Sequence, residues 1–238
     1  MKTLKRIGTS VYIFFYIISS QSAISANRGQ DVLLNLENAL NKKNLEIIYS
    51  YFEEDEKLKI KKKLEKMIKE FPNAIWEIKK MNSIELNKNM VNVSISGSNF
   101  IDNREFHLES NFDYLYNLKK GKIVDGFITN DLTTIRSDKN KINITIDIPD
   151  RVLTGSKYDI DIIINEPLGE EIYAGGINSY QEEFIFKQEI RLEPLVTGGI
   201  FKVTRAPNKK GTQTWTGIIT HSKGIVTFTK TVQIVEKI

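Results

Sequence analysis

The chain has no cysteine, only two histidines and only five prolines in 238 residues. Without cysteine there is no disulfide, no thiolate metal site, no thiol nucleophile and no lipid-modified cysteine anchor. The two histidines, His107 and His221, lie far apart in the sequence, so a histidine-based metal site has no local support. Neither a glycine-rich phosphate loop nor a serine nucleophile elbow is present. Few prolines and 14 glycines exclude collagen-like and linker-dominated chains. No apolar run approaches the roughly 20 residues needed to cross a bilayer as a helix. What remains is 40% apolar and 27% charged, long enough for one or two globular domains with a real core.

The formal charge of +4 is unevenly placed. Lys2, Lys5 and Arg6 precede any acidic residue, and without them the 34 basic groups fall to 31 against 30 acidic ones. The densest lysine cluster, Lys57 to Lys69, is interleaved with Glu53, Glu54, Glu56, Glu65 and Glu70 and reads as a solvated helix face. Phosphate recognition needs basic residues gathered on one face, so no nucleic-acid partner is expected.

Residues 1–26 follow the plan of a secretory signal: a basic start, the apolar run Val11–Ile18, then small and polar residues ending at Ala26. The expected destination is across the cytoplasmic membrane, in a periplasm, a lumen or the medium. The alternative is an uncleaved N-terminal anchor. Abundant Ile, Lys and Asn suggest an AT-rich bacterial genome.

From Gln30 to Phe71 the apolar spacing is helical. Val32, Leu36, Ala39 and Leu40 form one stripe, which Leu45, Ile48 and Phe52 continue after a polar break at 41–44. Ile60, Leu64, Met67, Ile68 and Phe71 share one face of a third helix, stopped by Pro72. From Ile75 the period becomes two. Val91, Val93 and Ile95 alternate with polar residues, as do Phe106, Leu108, Phe112, Tyr114 and Tyr116. Lys119-Lys120-Gly121 marks a hairpin. The stretch IRSDKNK after Thr134 lacks periodicity, and a linker is placed at 137–141. Beyond it, strands over Ile142–Ile148, Tyr158–Ile164, Glu183–Leu192, Gly199–Arg205, Thr212–His221 and Gly224–Val235 alternate with turn signals such as Gly175-Gly176. Such a series over about 100 residues reads as an immunoglobulin-like sandwich.

The stretch Glu37–Asp55, ENALNKKNLEIIYSYFEED, resembles the opening helices of the nuclear transport factor 2-like superfamily, and Asn117–Ile128, NLKKGKIVDGFI, resembles its closing strands. The resemblance covers roughly residues 30–135. It implies a cone, with a strongly curved sheet wrapped around helices and a cavity inside. The expected fold class is therefore α+β: a cone domain over 27–136, then an all-β immunoglobulin-like sandwich over 142–238. The superfamily includes isomerases, cyclases, dehydratases and many binding proteins, so fold alone leaves function open.

Within such a cone Trp76, Phe112 and Tyr114 are the candidate ligand-binding residues, since aromatic walls with polar tips suit apolar small molecules. Their plainer role is to fill the core. Enzymes of the superfamily need an acid or base inside the cone. His107, Glu109 and Asp113 are the candidates, but alternation puts them opposite the aromatics, on the wet face. Asp147, Asp150, Asp159, Asp161 and Glu166 offer hard oxygen ligands without the spacing of an ion-binding loop, and read as solvated edge. The sequons Asn92-Val93-Ser94 and Asn143-Ile144-Thr145 fall within strands and are discounted. No cofactor or metal is expected. The favoured reading is an exported, non-enzymatic binding or assembly protein that holds a small apolar ligand or a protein partner. The alternatives are a small isomerase-type enzyme and a structural envelope component.

Overall fold

The computed structural model describes residues 31–83, 85, 87–101, 103–137, 142–166, 172–180 and 190–236. The expected signal segment lies outside them, as do most of the expected strand Glu183–Leu192 and linker positions 138–141.

Three helices come first. Helix α1 (31–41) ends at a polar break where Lys43 takes a left-handed φ of 55°. Asn44 caps α2 (Leu45–Ser50) by accepting a hydrogen bond from the Ile47 amide. Helix α3 (Glu54–Glu70) opens with Glu54, Asp55 and Glu56, which suits the positive end of the helix dipole, and stops at Phe71 ahead of Pro72.

Twelve described strands follow: β1 (Ile75–Met81), β2 (Asn89–Ile101), β3 (Arg104–Lys119), β4 (Lys122–Ser137), β5 (Ile144–Asp147), β6 (Arg151–Leu153), β7 (Lys157–Ile164), β8 (Ala174–Tyr180), β9 (Glu193–Pro194), β10 (Gly199–Arg205), β11 (Gly211–His221) and β12 (Gly224–Val235). Nine of them form one sheet in the order β1-β2-β3-β4-β12-β11-β8-β9, with β6 added in parallel along part of β12. The other three form a second sheet, β10-β7-β5.

This architecture corrects the expected α+β cone followed by a separate sandwich. Strand takes up 58% of the described residues, and the large sheet is an open path rather than a closed cone. It also runs through both halves, because β4 pairs with β3 on one side and with β12 on the other. The cause lies in residues 135–137, which lack apolar alternation yet are held as strand by both neighbours: Ile135 opposite Leu108 and Thr227, Arg136 opposite His107 and Val226. A single-strand pattern cannot reveal pairing partners 90 residues away.

The sheet uses its two faces at opposite ends. On one face, Leu36, Leu40, Ile48 and Leu64 of the helices pack with Trp76, Val93, Ile95 and Leu108, and Ile135 joins that cluster. The other face of β4 carries Thr134 and Arg136, opposite Phe228 and Val226. Those two belong to a second core with Ile160, Ile162, Trp215 and Val232, closed by the three-stranded sheet in a β-sandwich-like arrangement. Alternation is kept through the seam, so the polar face of β1–β4 becomes the core-lining face of β12.

Only four residue pairs make the β4–β12 ladder, Thr133↔Thr229 to Arg136↔Val226. Side chains extend it at both ends. The Ile225 amide donates to Ser137 Oγ (2.8 Å), the Thr231 amide to Asp131 Oδ1 (2.8 Å), and Gln233 Nε2 to the Ile128 carbonyl (2.7 Å). Lys230, 7% exposed, donates to Asn130 Oδ1 (2.7 Å) and pairs with Asp150. Burial raises the Asp131 pKa, against the lowering effect of the Thr231 hydrogen bonds and of Lys230.

Two further expectations are corrected. Gly175-Gly176, read as a turn, lies inside β8. A Cβ at 175 would press on Leu195 and the Ile218 carbonyl, and one at 176 would overlap the Arg191 carbonyl, so these glycines permit close packing instead. Glu56, read as part of a solvated helix face, is 4% exposed.

Candidate functional site

The three aromatics proposed from sequence all belong to or pack against the helix-side cluster. Trp76 on β1 is buried and lies opposite Ile95. Phe112 on β3 is half-buried against the same cluster. Tyr114 is half-buried, stacked on Tyr116 with ring centroids 5.9 Å apart, and its hydroxyl donates to Glu56 Oε2 (3.3 Å). Gly126 makes room for that hydroxyl, since a Cβ there would overlap it. The β3–β4 register shifts between Asp113 and Tyr114 and again between Leu115 and Asn117, which brings Gly126 to the ring. Burial first, and then the Glu56 carboxylate, pushes the Tyr114 hydroxyl above the ordinary tyrosine range; burial pushes Tyr116 up to about 12.

Sequence reasoning missed Glu56, a carboxylate inside the helix–sheet layer. Its other oxygen takes a 2.6 Å ion pair from Lys59. One turn of lysine-rich helix hid it, because a Glu among lysines has the composition of a wet face. The available signal was its offset: Glu56 lies four residues before Ile60 and eight before Leu64, in line with the apolar stripe.

His107, Glu109 and Asp113 sit on the opposite, polar face. His107 Nε2 lies 3.5 Å from Glu105, and Asp113 accepts from Asn92 Nδ2 (2.7 Å). Glu109 is exposed and has no described hydrogen bond or ion pair. It lines an open groove of about 380 Å³ that crosses β1–β4, together with Ile75, Glu77, Ser94, Ser96, Asn111, Leu132, Thr134 and Arg136.

A second surface lies on the sandwich. Among the described residues β10 is an end strand of its sheet, and its outward side chains Phe201 and Val203 are 54% and 68% exposed. Beside them on the same face stand Asp161, opposite Phe201, and Asp159, opposite Val203. Asp147 faces Asp161 directly across β5–β7, a like-charge pairing that costs stability. The far edge of the molecule is treated differently. At the end strand β1, Asn41 of α1 donates to the Trp76 carbonyl (2.9 Å) and accepts from the Trp76 amide (2.9 Å), while the Ile78 amide donates to Glu37 (2.6 Å). These side chains occupy the edge as a neighbouring strand would.

Among the described residues no group of three or more His, Asp or Glu could hold a metal ion, and no helix is long and apolar enough to cross a membrane. A family model described as "Domain of unknown function (DUF8623)" matches residues 139–235. That stretch holds β5 to β12 and stops short of β4, the strand that joins the sandwich to the rest of the large sheet. No curated protein matches the chain.

Proposed function

We propose that this is an exported binding or assembly protein without catalytic chemistry, and that it takes a protein partner by strand addition at β10. The observation that carries the reading is the contrast between the end strands β1 and β10. On β1 the Trp76 amide and carbonyl and the Ile78 amide are taken up by Asn41 and Glu37, whereas β10 presents Phe201 and Val203 outward beside an acidic row. Among the described residues no strand pairs with the outer side of β10, and an exposed apolar strand at a sheet end is an aggregation liability unless a partner uses it. The acids Asp147, Asp159 and Asp161 select for an extended segment that alternates apolar and basic residues. Export rests on the basic, apolar and small-residue order of positions 1–26. A small apolar ligand has less support, because Trp76 and its neighbours are packed by the helical stripe.

The test places a photo-crosslinking amino acid at 201 or 203 in the full chain in its native cells, with position 61 on exposed α3 as control. The expected result is one discrete protein adduct from 201 and 203, none from 61, and loss of the adduct in Asp159→Lys/Asp161→Lys. No adduct at β10, or an adduct indifferent to the charge reversal, overturns the proposal.

A further inference from the structure

The groove on the polar face of β1–β4 is independent of the sandwich edge, and its chemistry is of a different kind. Its floor is built from cross-strand rows: Ile75, Ser96, Glu109 and Thr134 in one, Glu77, Ser94, Asn111 and Leu132 in the next, with Arg136, opposite His107, on the other side of the first row. The backbone groups of these rows belong to the sheet ladders, so a ligand lying here is read by side chains alone.

Those side chains are of mixed sign. Two carboxylates, Glu77 and Glu109, disfavour an anion, and the Arg136 guanidinium disfavours a cation. Arg136 Nε is buried and has no hydrogen-bond partner among the described residues. Glu109 stands diagonally across the ladder, opposite Thr134, yet the two charges form no described ion pair. Each group is left with forked hydrogen-bonding capacity that two adjacent hydroxyls satisfy. Asn111, one row further from Arg136 than Glu109, is held in place: its Nδ2 donates to Asn92 (3.1 Å) and Ser94 (2.9 Å), and its Oδ1 accepts from Asn92 (2.9 Å). At one rim Ile75, 59% exposed, offers an apolar contact for the C–H face of a ring. The volume of about 380 Å³ suits a short oligomer resting in an open trough.

We infer that this groove binds a neutral oligosaccharide, with Glu109 and Arg136 gripping adjacent hydroxyls from opposite sides. A peptide strand is the less suitable occupant, since its own backbone would find no free backbone groups on the floor.

The experiment titrates the full chain, labelled for amide NMR, with cellohexaose, maltohexaose and chitohexaose. A polygalacturonate oligomer and an uncharged peptide serve as comparisons. The expected result is saturable binding of at least one neutral hexaose, with shifts concentrated in β1–β4. Glu109→Gln and Arg136→Gln should each weaken it at least tenfold without lowering the melting temperature, while Phe201→Ser leaves it unchanged. Glu109 is exposed, so its variant keeps the test valid if Arg136→Gln misfolds. Absence of binding by all three sugars, equal binding by Glu109→Gln, or preferential binding of the polyanion or peptide at these residues overturns the inference. Failure here leaves the β10 crosslink untouched, and the converse holds.

Discussion

Asp131→Ala tests whether the seam between the two halves carries the load that the geometry assigns to it. Asp131 accepts from the Thr231 amide at 2.8 Å and from the Thr231 hydroxyl at 3.1 Å, just beyond the last backbone pair of the β4–β12 ladder. With the carboxylate gone, the hydroxyl keeps Thr214 Oγ1 at 3.1 Å. The amide has no such second partner, and an orphaned, part-buried N–H costs about 1–3 kcal/mol. Relief of the desolvated carboxylate offsets part of this, which places the net loss in the lower half of that range. For a chain of this size that is roughly 2–4 °C of Tm per kcal/mol. Asp131→Asn keeps an acceptor for the amide and should stay close to the unmodified protein at neutral pH.

The two tryptophans make the assay local, since Trp76 lies in the helix-side core and Trp215 in the sandwich core. Urea unfolding of Trp76→Phe and Trp215→Phe backgrounds reads each half through the remaining fluorophore. The expected outcome is coincident transitions with Asp131 intact and separated ones in Asp131→Ala. The pH dependence has a defined sign. The Asp131 pKa is raised in the folded state, so as pH rises the unfolded chain loses this proton first. Stability therefore falls between the ordinary aspartate pKa of 3.8 and the higher folded value, then levels off. Asp131→Asn lacks that fall. Coincident, unshifted transitions in Asp131→Ala, or equal damage from Asp131→Asn, would refute the reasoning.

Two further expectations follow from the helix-side core. Gly126→Ala forces a methyl into the Tyr114 hydroxyl, a ring held by Glu56 and Tyr116, and should cost about 1–3 kcal/mol of unfolding free energy; adding Tyr114→Leu should recover part of the loss, and strict additivity in the double-mutant cycle would count against the clash. In alkaline titration followed at 295 nm, Tyr49, Tyr114 and Tyr116 should remain protonated at pH 11 in the folded chain but ionise in urea, so stability declines as pH rises above 10; full ionisation in the native state would contradict the burial of Tyr114 and Tyr116.

Local periodicity was legible in several elements that turn one side to a core, though not in β8 or at the end of β4. The helical stripe from Leu36 to Leu64, the alternation of Val91 to Ile95 and that of Ile160 to Ile164 all appear as strands or helices at those positions. The groove was half legible: Glu109 was placed on the wet face, but its convergence with Arg136 needs β3 and β4 in register. Glu56 was hidden because its burial depends on Tyr114 reaching it from a strand 58 residues later.

Amino-acid order alone determined the period of segments such as Leu36–Leu40 and Val91–Ile95, the turns at Pro72 and Gly121 and the absence of thiol chemistry, because these depend on neighbours a few bonds away. Tertiary structure decided that β4 serves two partners, that one sheet buries opposite faces at its two ends, and that Asn41 and Glu37 cap the edge of β1 while no described side chain or strand does so at β10. Each of those depends on which distant backbone groups meet, and hydrogen bonds between strands leave no mark on the residues that make them.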